Sequence, residues 1–317
     1  MLLRVTHVEM LTPNIRLIRL QNPDGSPLPS FKPGAHIEVG LPLGEAAAFR
    51  KYSLVSDGGD GTCYEIAVKR NAFGRGGSVF LNDALSIGDE LEVSAPINEF
   101  GIASAGLHHV LIAGGIGITP MLGIASRLKQ AGMSYELHYA AMSRGDMAFH
   151  DALLRDHAGR CTLYFTREEP AQRLDVQALV AHHRDHVGTH LYVCGPGSLI
   201  DEVRLSAEGS GLARPRVHFE SFGPAWSASD GTVRVTMTES ALDLEVEPGT
   251  TLLEAMEAAG AWIPSDCKRG ECGACIASYT GGRPLHRDNC LTEAQRAHSF
   301  CPCVSWASSD AVLLVQM

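Results

Sequence analysis

The chain has 317 residues, of which 45% are hydrophobic and 20% charged, and its formal net charge is −10. This length predicts two or three domains, because single cores rarely grow beyond about 250 residues. The chain is acidic and contains no cluster of basic residues, which argues against nucleic acid as a partner. The N-terminal apolar run breaks at Arg4 and the longest apolar stretch is interrupted by glycines, so neither a signal peptide nor a membrane span is expected.

Residues 1–103 are predicted to form a small antiparallel β-barrel, because short strands alternate here with turns rich in Gly, Pro and Asp. One strand carries Arg50 and Tyr52 on one face and Ser53 on the other. The turn at 74–78 offers free backbone N–H groups suited to a phosphate. An ordinary barrel strand and glycine turn would also explain these two segments. The predicted strands are 3–10, 15–21, 36–41, 50–55, 64–69 and 90–95.

Residues 104–225 are predicted to form an α/β domain with a parallel sheet, because apolar strands alternate with helical stretches. The run Gly114-Gly-Ile-Gly-Ile-Thr-Pro follows the first strand and opens the first helix, where glycines let backbone N–H groups approach a pyrophosphate. It matches neither a Rossmann fingerprint nor a P-loop, so alone it is a weak signal. A second glycine-rich turn, 194–197, is expected two strands away in the sheet, and together the two turns favour a dinucleotide site. The predicted strands are 109–113, 135–140, 162–165, 190–193 and 216–219, and the predicted helices are 119–130, 147–157, 175–184 and 198–208.

Residues 226–317 are predicted to form a third, acidic domain, which the segment 223–231 would link to the second. A hairpin is expected from 232–238 and 242–246, and a terminal strand from 310–317. Between them, a helix over 250–259 would begin at a capping box made by Thr250 or Thr251 with Glu254. Trp262, just beyond this helix, is expected in the core.

Three cysteines of this segment, Cys267, Cys272 and Cys275, are spaced C-x4-C-x2-C, and 27 residues separate the last of them from Cys303. This arrangement is typical of plant-type [2Fe–2S] sites. A zinc site or a disulfide fits less well, because zinc sites favour paired short spacings.

The fourth ligand is open on spacing alone, since Cys290 and Cys301 also lie downstream. Cys301 and Cys303 flank a proline and cannot easily both reach one iron, and we choose Cys303. Cluster thiolates imply a reducing compartment, so a cytoplasmic location is expected.

His182, His183 and His186 have the spacing of metal ligands on a helix. No carboxylate or second motif accompanies them in the sequence. A solvated helix end is therefore the expected role of these histidines.

The whole chain resembles the phthalate dioxygenase reductase family, the class IA reductases of Rieske oxygenases. The shared motifs occur in family order over essentially the full length. The resemblance implies a flavin barrel at 1–103, an NAD(P)H domain at 104–225 and a β-grasp plant-type ferredoxin domain at 226–317. The motifs are Arg50-Lys-Tyr-Ser, Ala67-Val-Lys-Arg, Gly74-Arg-Gly-Gly-Ser, Asn98-Glu-Phe, Gly114-Gly-Ile-Gly-Ile-Thr-Pro-Met, Cys194-Gly-Pro, His218-Phe-Glu-Ser-Phe-Gly and the cluster loop with Cys303-Val-Ser.

By resemblance, the barrel binds FMN and the second domain binds NADH. Ser53 would donate a hydrogen bond to flavin N5, Phe222 would lie against the flavin ring, and Cys194 would shape the approach of the nicotinamide. The flavin residues implied are Arg50, Tyr52, Ser53, Ala67, Val68, Lys69, Gly76, Gly77, Ser78, Thr119 and Phe222. The nucleotide residues implied are Gly114, Gly115, Gly117, Pro120, Cys194, Gly195 and Pro196. Ser143 and Arg144 follow the second strand of this domain, where the ribose 2′ position is usually read, and an arginine there could bind the 2′-phosphate of NADPH. The choice between NADH and NADPH is therefore open on these residues, and the family resemblance favours NADH.

The resemblance further implies a monomer that passes electrons from NADH to FMN, to the [2Fe–2S] cluster and then to a Rieske-type terminal oxygenase. The alternatives are an electron donor to a cytochrome P450 or diiron oxygenase, where domain order commonly differs, and a redox sensor, which would not need two further cofactor sites. Lys268 and Arg269 in the cluster loop are expected to contact the oxygenase.

Overall fold

The computed structural model describes residues 1–44, 48–58, 61–223 and 229–317. The chain divides into two compact units, the first made of 1–72 and 76–220 and the second of 73–75 and 221–317. Residues 224–228 of the expected linker lie outside the described residues. Within the described ranges, no helix is both long and apolar enough to cross a membrane.

The first part of the first unit is the antiparallel barrel that the sequence predicts. Two sheets, with strand orders β5-β2-β1-β6 and β4-β3-β7, are joined by bridges between Val39 and Val93 and between Leu54 and Ile66. These bridges close the sheets around a core of fully buried aliphatic side chains. The strands are β1 (Leu2–Thr12), β2 (Ile15–Gln21), β3 (Ala35–Leu41), β4 (Ala48–Ser53), β5 (Tyr64–Lys69), β6 (Glu90–Glu92) and β7 (Ile97–Asn98), and the short helix α1 is Gly77–Val79.

The second part of the first unit is a parallel five-stranded sheet with the order β10-β9-β8-β11-β12. The predicted alternation of strands and helices is confirmed. The two glycine-rich turns follow β8 and β11, which are direct neighbours, so their expected separation by two strands was wrong. The chain places β9 and β10 on one side of β8 and returns to the other side with β11, which no local sequence signal reports. The elements are β8 (His108–Gly114), α2 (Ile118–Gln130), β9 (Ser134–Ala141), α3 (His150–Asp156), β10 (Cys161–Phe165), α4 (Val176–His183), β11 (Thr189–Cys194), α5 (Gly197–Ser210) and β12 (Val217–Glu220).

Within the first unit the barrel and the α/β part share a core. Ile15, Val55 and Ala67 of the barrel pack in one cluster with Ile116 and Leu122. Helix α2 crosses the barrel so closely at Gly123 that a Cβ there would lie 2.3 Å from the carbonyl oxygen of Ser56. This crossing holds the start of α2, and the glycine-rich turn before it, in a fixed position beside the barrel.

The second unit contains a mixed five-stranded sheet with the order β14-β13-β19-β15-β17, in which β13 and β19 are parallel. The predicted hairpin is confirmed as β13 and β14. Helix α6 begins at the predicted capping box, with Thr251 and Glu254 bonding reciprocally. The short elements from β15 to β18 lack a pattern long enough to predict. The elements are β13 (Val233–Met237), β14 (Leu242–Val246), α6 (Leu252–Ala258), β15 (Ala277–Gly281), β16 (Pro284–Leu285), α7 (Glu293–Arg296), β17 (Ser299–Phe300), β18 (Trp306–Ala307) and β19 (Leu313–Val315).

The expectation that Trp262 lies in the core is wrong, because its side chain is 85% exposed. Its neighbour Ile263 is 5% exposed and takes the core position instead.

Candidate functional site

The loop that carries the first three cysteines turns its backbone N–H groups towards sulfur. The amides of Arg269 and Cys272 each donate to Cys267 Sγ at 3.4 Å. Gly270 makes this path possible with a φ of 75°, and a Cβ there would lie 2.6 Å from a methyl carbon of Val304. The loop therefore has the inward amides and tight turns that a metal–sulfur centre requires.

The fourth predicted cysteine lies against this loop. The Sγ atoms of Cys275 and Cys303 are 3.2 Å apart, and both residues are buried. Hydrogen bonds with the thiols of Cys301 and Cys303 lower the pKa of the Cys275 thiol well below its usual range. Cys301 also lies 3.4 Å from Cys290, sulfur to sulfur. The set of four predicted sulfurs with inward amides fits a [2Fe–2S] cluster.

The same loop contains an ion pair that the sequence did not reveal. A nitrogen of Arg269 lies 3.2 Å from Glu271, and their side chains are only 11% and 16% exposed. Glu271 also accepts a hydrogen bond from the backbone amide of Ser221. The expectation that Arg269 contacts a partner is therefore wrong, because its side chain is largely buried and pairs with Glu271 within the loop. Lys268 is exposed.

In the barrel, the predicted phosphate turn packs directly on the predicted flavin strand. A Cβ on Gly77 would lie 2.8 Å from Leu41, 3.5 Å from Arg50 and 3.6 Å from the Tyr52 hydroxyl. Gly76, just before it, has a φ of 79°. A glycine cradle against an arginine and a tyrosine fits the phosphate end of a flavin nucleotide. Burial raises the pKa of Tyr52 to about 12, so its hydroxyl remains a donor at neutral pH.

The other predicted flavin residues are distributed over both units. Ser53 is buried at the end of β4, and β5 ends with Ala67, Val68 and Lys69. A bridge connects β5 to the chain just after β4.

The remaining predicted flavin residues lie outside these two strands. The hydroxyl of Ser78 accepts the amide proton of Asn71 at 3.0 Å and closes the glycine turn. Thr119 is buried and donates to the carbonyl oxygen of Ile116. Phe222 belongs to the second unit and is 47% exposed, so its place beside the flavin ring stays a prediction.

The two glycine-rich turns of the α/β part meet at the carboxyl ends of β8 and β11. A Cβ on Gly117 would lie 2.2 Å from the carbonyl oxygen of Cys194. A Cβ on Gly114 would lie 2.7 Å from Pro196 and 3.5 Å from Gly195. The strand order reverses between β8 and β11, which is where open α/β sheets bind nucleotides. The turns are thus in contact at the expected crevice.

The side chain of Cys194 itself is fully buried and belongs to the hydrophobic core. Gly115, with a φ of 55°, and Pro120 complete the first turn. A buried thiol can shape the floor of a pocket by its volume, while its burial raises the barrier to acting as a nucleophile.

Two carboxylates that the sequence reasoning missed accompany Ser143 and Arg144. The Ser143 hydroxyl donates to Asp146 at 2.6 Å, and the Arg144 amide donates to Glu168 at 2.5 Å. The Arg144 guanidinium lies 5.3 Å from the ring centre of Phe165. In the sequence, both acids could have been noticed because they follow β9 and β10 shortly after the carboxyl ends of these strands.

The expected solvated role of the three helix-end histidines is wrong for His183. This residue is 4% exposed and its Nε2 lies 2.5 Å from Glu136. The carboxylate absent from the local sequence comes from β9, 47 residues away along the chain.

Comparisons with known proteins agree with this geometry. Family models match as an oxidoreductase FAD-binding domain over residues 2–102, an oxidoreductase NAD-binding domain over 111–205 and a 2Fe-2S iron-sulfur cluster binding domain over 235–308. The chain is 37% identical to the heme-dependent oxidative N-demethylase beta subunit of Ectopseudomonas mendocina, over 98% of this chain and 97% of that one. It is 36% identical to a Pseudomonas vanillate O-demethylase oxidoreductase, over 98% of each chain.

Solved structures that cover the whole chain include the following two. Phthalate dioxygenase reductase, described as a modular structure for electron transfer from pyridine nucleotides to [2Fe–2S], superposes with a TM-score of 0.76 at 33% identity and 98% coverage of that chain. An intact type IV self-sufficient cytochrome P450 monooxygenase gives a TM-score of 0.67 at 34% identity, with 41% of its length matched.

Fold and site together define an oxidoreductase with flavin-binding, NAD-binding and [2Fe–2S] domains. The chain belongs to the phthalate dioxygenase reductase family. The predicted three-part architecture and the predicted classes of cofactor are confirmed.

Proposed function

We propose that the chain is the reductase component of a Rieske-type oxygenase system, passing electrons from NADH through FMN and the [2Fe–2S] cluster to the terminal oxygenase. The observation that carries this proposal is the presence of three cofactor sites on one chain. NADH gives up two electrons together as a hydride, while an iron–sulfur cluster accepts one. A flavin supplies the chemistry that joins the two processes, and the protein supplies binding and placement.

In the barrel, we assign phosphate binding to Arg50 and to the amides of Gly76 and Gly77. The guanidinium would offset the phosphate charge, and FMN as the flavin is what the family resemblance implies. Ser53, buried at the end of β4, is assigned the hydrogen bond to flavin N5. Tyr52, on the same strand, is assigned as a further hydrogen-bond donor to the flavin nucleotide.

In the crevice between β8 and β11, the glycine turns leave room for the pyrophosphate of the dinucleotide. Asp146 and Glu168 place negative charge beside Ser143 and Arg144. These carboxylates would repel a 2′-phosphate and accept hydrogen bonds from a 2′-hydroxyl. They support NADH over NADPH.

We assign the cluster ligands as Cys267, Cys272, Cys275 and Cys303. Cys272 is the exposed one of the four, so electrons would leave the protein on its side of the loop. The thiolate set also supports a reducing, cytoplasmic location. A monomer stays a prediction.

Exposed Lys268 is proposed to contact the oxygenase near this exit. K268E should raise the KM for the oxygenase and change its salt dependence, because a surface charge steers association. Arg269 is unsuitable for the same test, since its pairing with Glu271 supports the loop. Reversing the charges of Lys268 and Arg269 together would therefore not distinguish weaker docking to the oxygenase from damage to the folding of the loop.

One alternative is favoured by specific observations. The P450 monooxygenase aligns with this chain from end to end, and a relative at 37% identity is named for a heme-dependent N-demethylase. Domain order therefore does not separate a heme partner from a Rieske partner. Reduction rates with a purified Rieske oxygenase and with a heme oxygenase, measured side by side, would decide between them.

The main test is C272S in the holoprotein. NADH-driven reduction of ferricyanide should be preserved, because it uses the flavin, while delivery to the oxygenase should be abolished. C63S, which changes a cysteine of the barrel, should retain both activities. Equal loss of both activities in C272S would contradict the proposed division of labour.

A further inference from the structure

A carboxylate on the parallel sheet is surrounded by imidazoles. Oε1 of Glu136 lies 2.5 Å from Nε2 of His183, 3.6 Å from Nε2 of His138 and 3.9 Å from Nε2 of His108. The ligand atoms of His108, Glu136 and His183 all lie within 4.8 Å of one another. One carboxylate oxygen thus has three imidazole nitrogens within 3.9 Å, whereas a single hydrogen bond would need only one.

Strand register explains why these residues meet. Glu136 and His138 are two apart on β9 and share a face of the sheet. In the parallel pairing of β8 with β9, Val110 is opposite Glu136, and His108 lies two residues before Val110 on the same face. Helix α4 packs on that face through Val176 and Val180 and ends there at His183.

Hydrogen bonds fix the orientation of two of the rings. Nδ1 of His108 pairs with the hydroxyl of Ser134 at 2.8 Å, and Nδ1 of His138 pairs with the hydroxyl of Tyr164 at 2.9 Å. Each ring therefore directs its Nε2 towards Glu136. Partners of this kind on the distal nitrogen are what metal-binding histidines have. Nε2 of His138 is buried and has no hydrogen bond within the described residues.

We propose that His108, Glu136 and His183 bind a divalent late transition-metal ion, of which Zn²⁺ is the probe, with His138 as a positioning residue for the carboxylate. Two imidazoles and a carboxylate form a donor set that Zn²⁺ takes, leaving further positions for water. Ligand atoms about 2.1 Å from a tetrahedral ion lie about 3.4 Å apart. The observed 2.5 and 3.9 Å lie on either side of that value, and the ligand atoms of the third pair, His108 and His183, lie within 4.8 Å of each other. Shifts of about 1 Å therefore complete the site.

The site is accessible and separate from the redox chemistry. The side chains of Glu136 and His108 are 32% and 27% exposed, which gives an ion a path from solvent. His108 begins β8 while Gly114 ends it, so the site and the nucleotide turns are about 20 Å apart along the strand. Bound metal would tie the end of α4 to β8 and β9.

A second possible set shares one residue with the first. His182, His183 and His186 also have ligand atoms within 4.8 Å of one another, but the outer two are exposed and this set lacks a carboxylate. The proposal assigns His183 to Glu136, so H182N and H186N are the matched controls.

The test is equilibrium dialysis of the holoprotein against Zn²⁺, with zinc and iron measured per chain and the visible spectrum recorded. Wild type should bind one zinc beyond its cluster iron without spectral change. E136Q and H183N should weaken binding by at least about 100-fold and H138N by about 10-fold, while H182N and H186N bind as wild type. NADH–ferricyanide activity reports that each variant has folded.

Three results would overturn the proposal. Zinc binding unchanged in both E136Q and H183N would place the ion elsewhere. Loss of binding in H182N and H186N, with E136Q unaffected, would assign it to the helix end alone. Equal competition by Ca²⁺, which prefers oxygen ligands, would show that imidazoles do not hold the ion.

Discussion

The contact between the two glycine-rich turns gives a prediction that can be worked from the structure. In G117A the added Cβ would lie 2.2 Å from the carbonyl oxygen and 2.4 Å from the carbonyl carbon of Cys194. Both atoms belong to backbone, so the turns must separate by about 1 Å to restore a van der Waals contact. Overpacking of this kind costs typically 1–3 kcal/mol, and we expect about 3 kcal/mol because no side chain can move aside.

The matched control is G197A, in the second of these turns, where a Cβ meets nothing within 4 Å. Thermal unfolding followed by circular dichroism should show the midpoint of G117A lowered by about 6–12 °C and that of G197A close to wild type. The KM for NADH, with ferricyanide as acceptor, should rise in G117A because the turn that would receive the pyrophosphate is displaced. Equal behaviour of the two variants would refute the argument that contact between the turns shapes the nucleotide site.

Three further predictions concern the ligand choice, pH and nucleotide preference. C303S should lose cluster iron while C301S keeps it, and iron retained in C303S but lost in C301S would reverse the assignment. Burial lowers the pKa of His109 to about 4, so protonation of the unfolded chain should reduce stability by up to about 3 kcal/mol as the pH falls from 6.5 to 4. H109F should remove that part of the loss in urea titrations at several pH values, and an unchanged pH dependence would contradict it. D146N should raise kcat/KM for NADPH about fivefold, since one repulsive charge beside a 2′-phosphate is worth about 1 kcal/mol, and no change would remove Asp146 from nucleotide selection.

The sequence predicts best where a pattern is local. The strands Ile15–Gln21 and Tyr64–Lys69 have the predicted bounds, because alternation and flanking turns define both ends. The capping box of Thr251 and Glu254 depends only on residues three apart. The cysteine spacing likewise indicates the cluster within a single loop.

What the sequence could not predict depends on contacts between distant segments. Strands β8 and β11 are adjacent because of the order in which the chain adds strands to the sheet. This adjacency places Gly117 against Cys194. The pairing of His183 with Glu136 has the same origin, since the carboxylate lies on another element. Arg269 looked available to a partner because its ion pair with Glu271 forms only when the loop closes.

The central claim is that electrons enter this chain from NADH and leave it one at a time through iron. Anaerobic addition of NADH to purified holoprotein, followed by visible absorbance and electron paramagnetic resonance, tests this most directly. A chain with one flavin and about two irons should lose its flavin absorbance and develop the signal of a reduced plant-type cluster. A cluster signal that dithionite produces but NADH does not would contradict the claim.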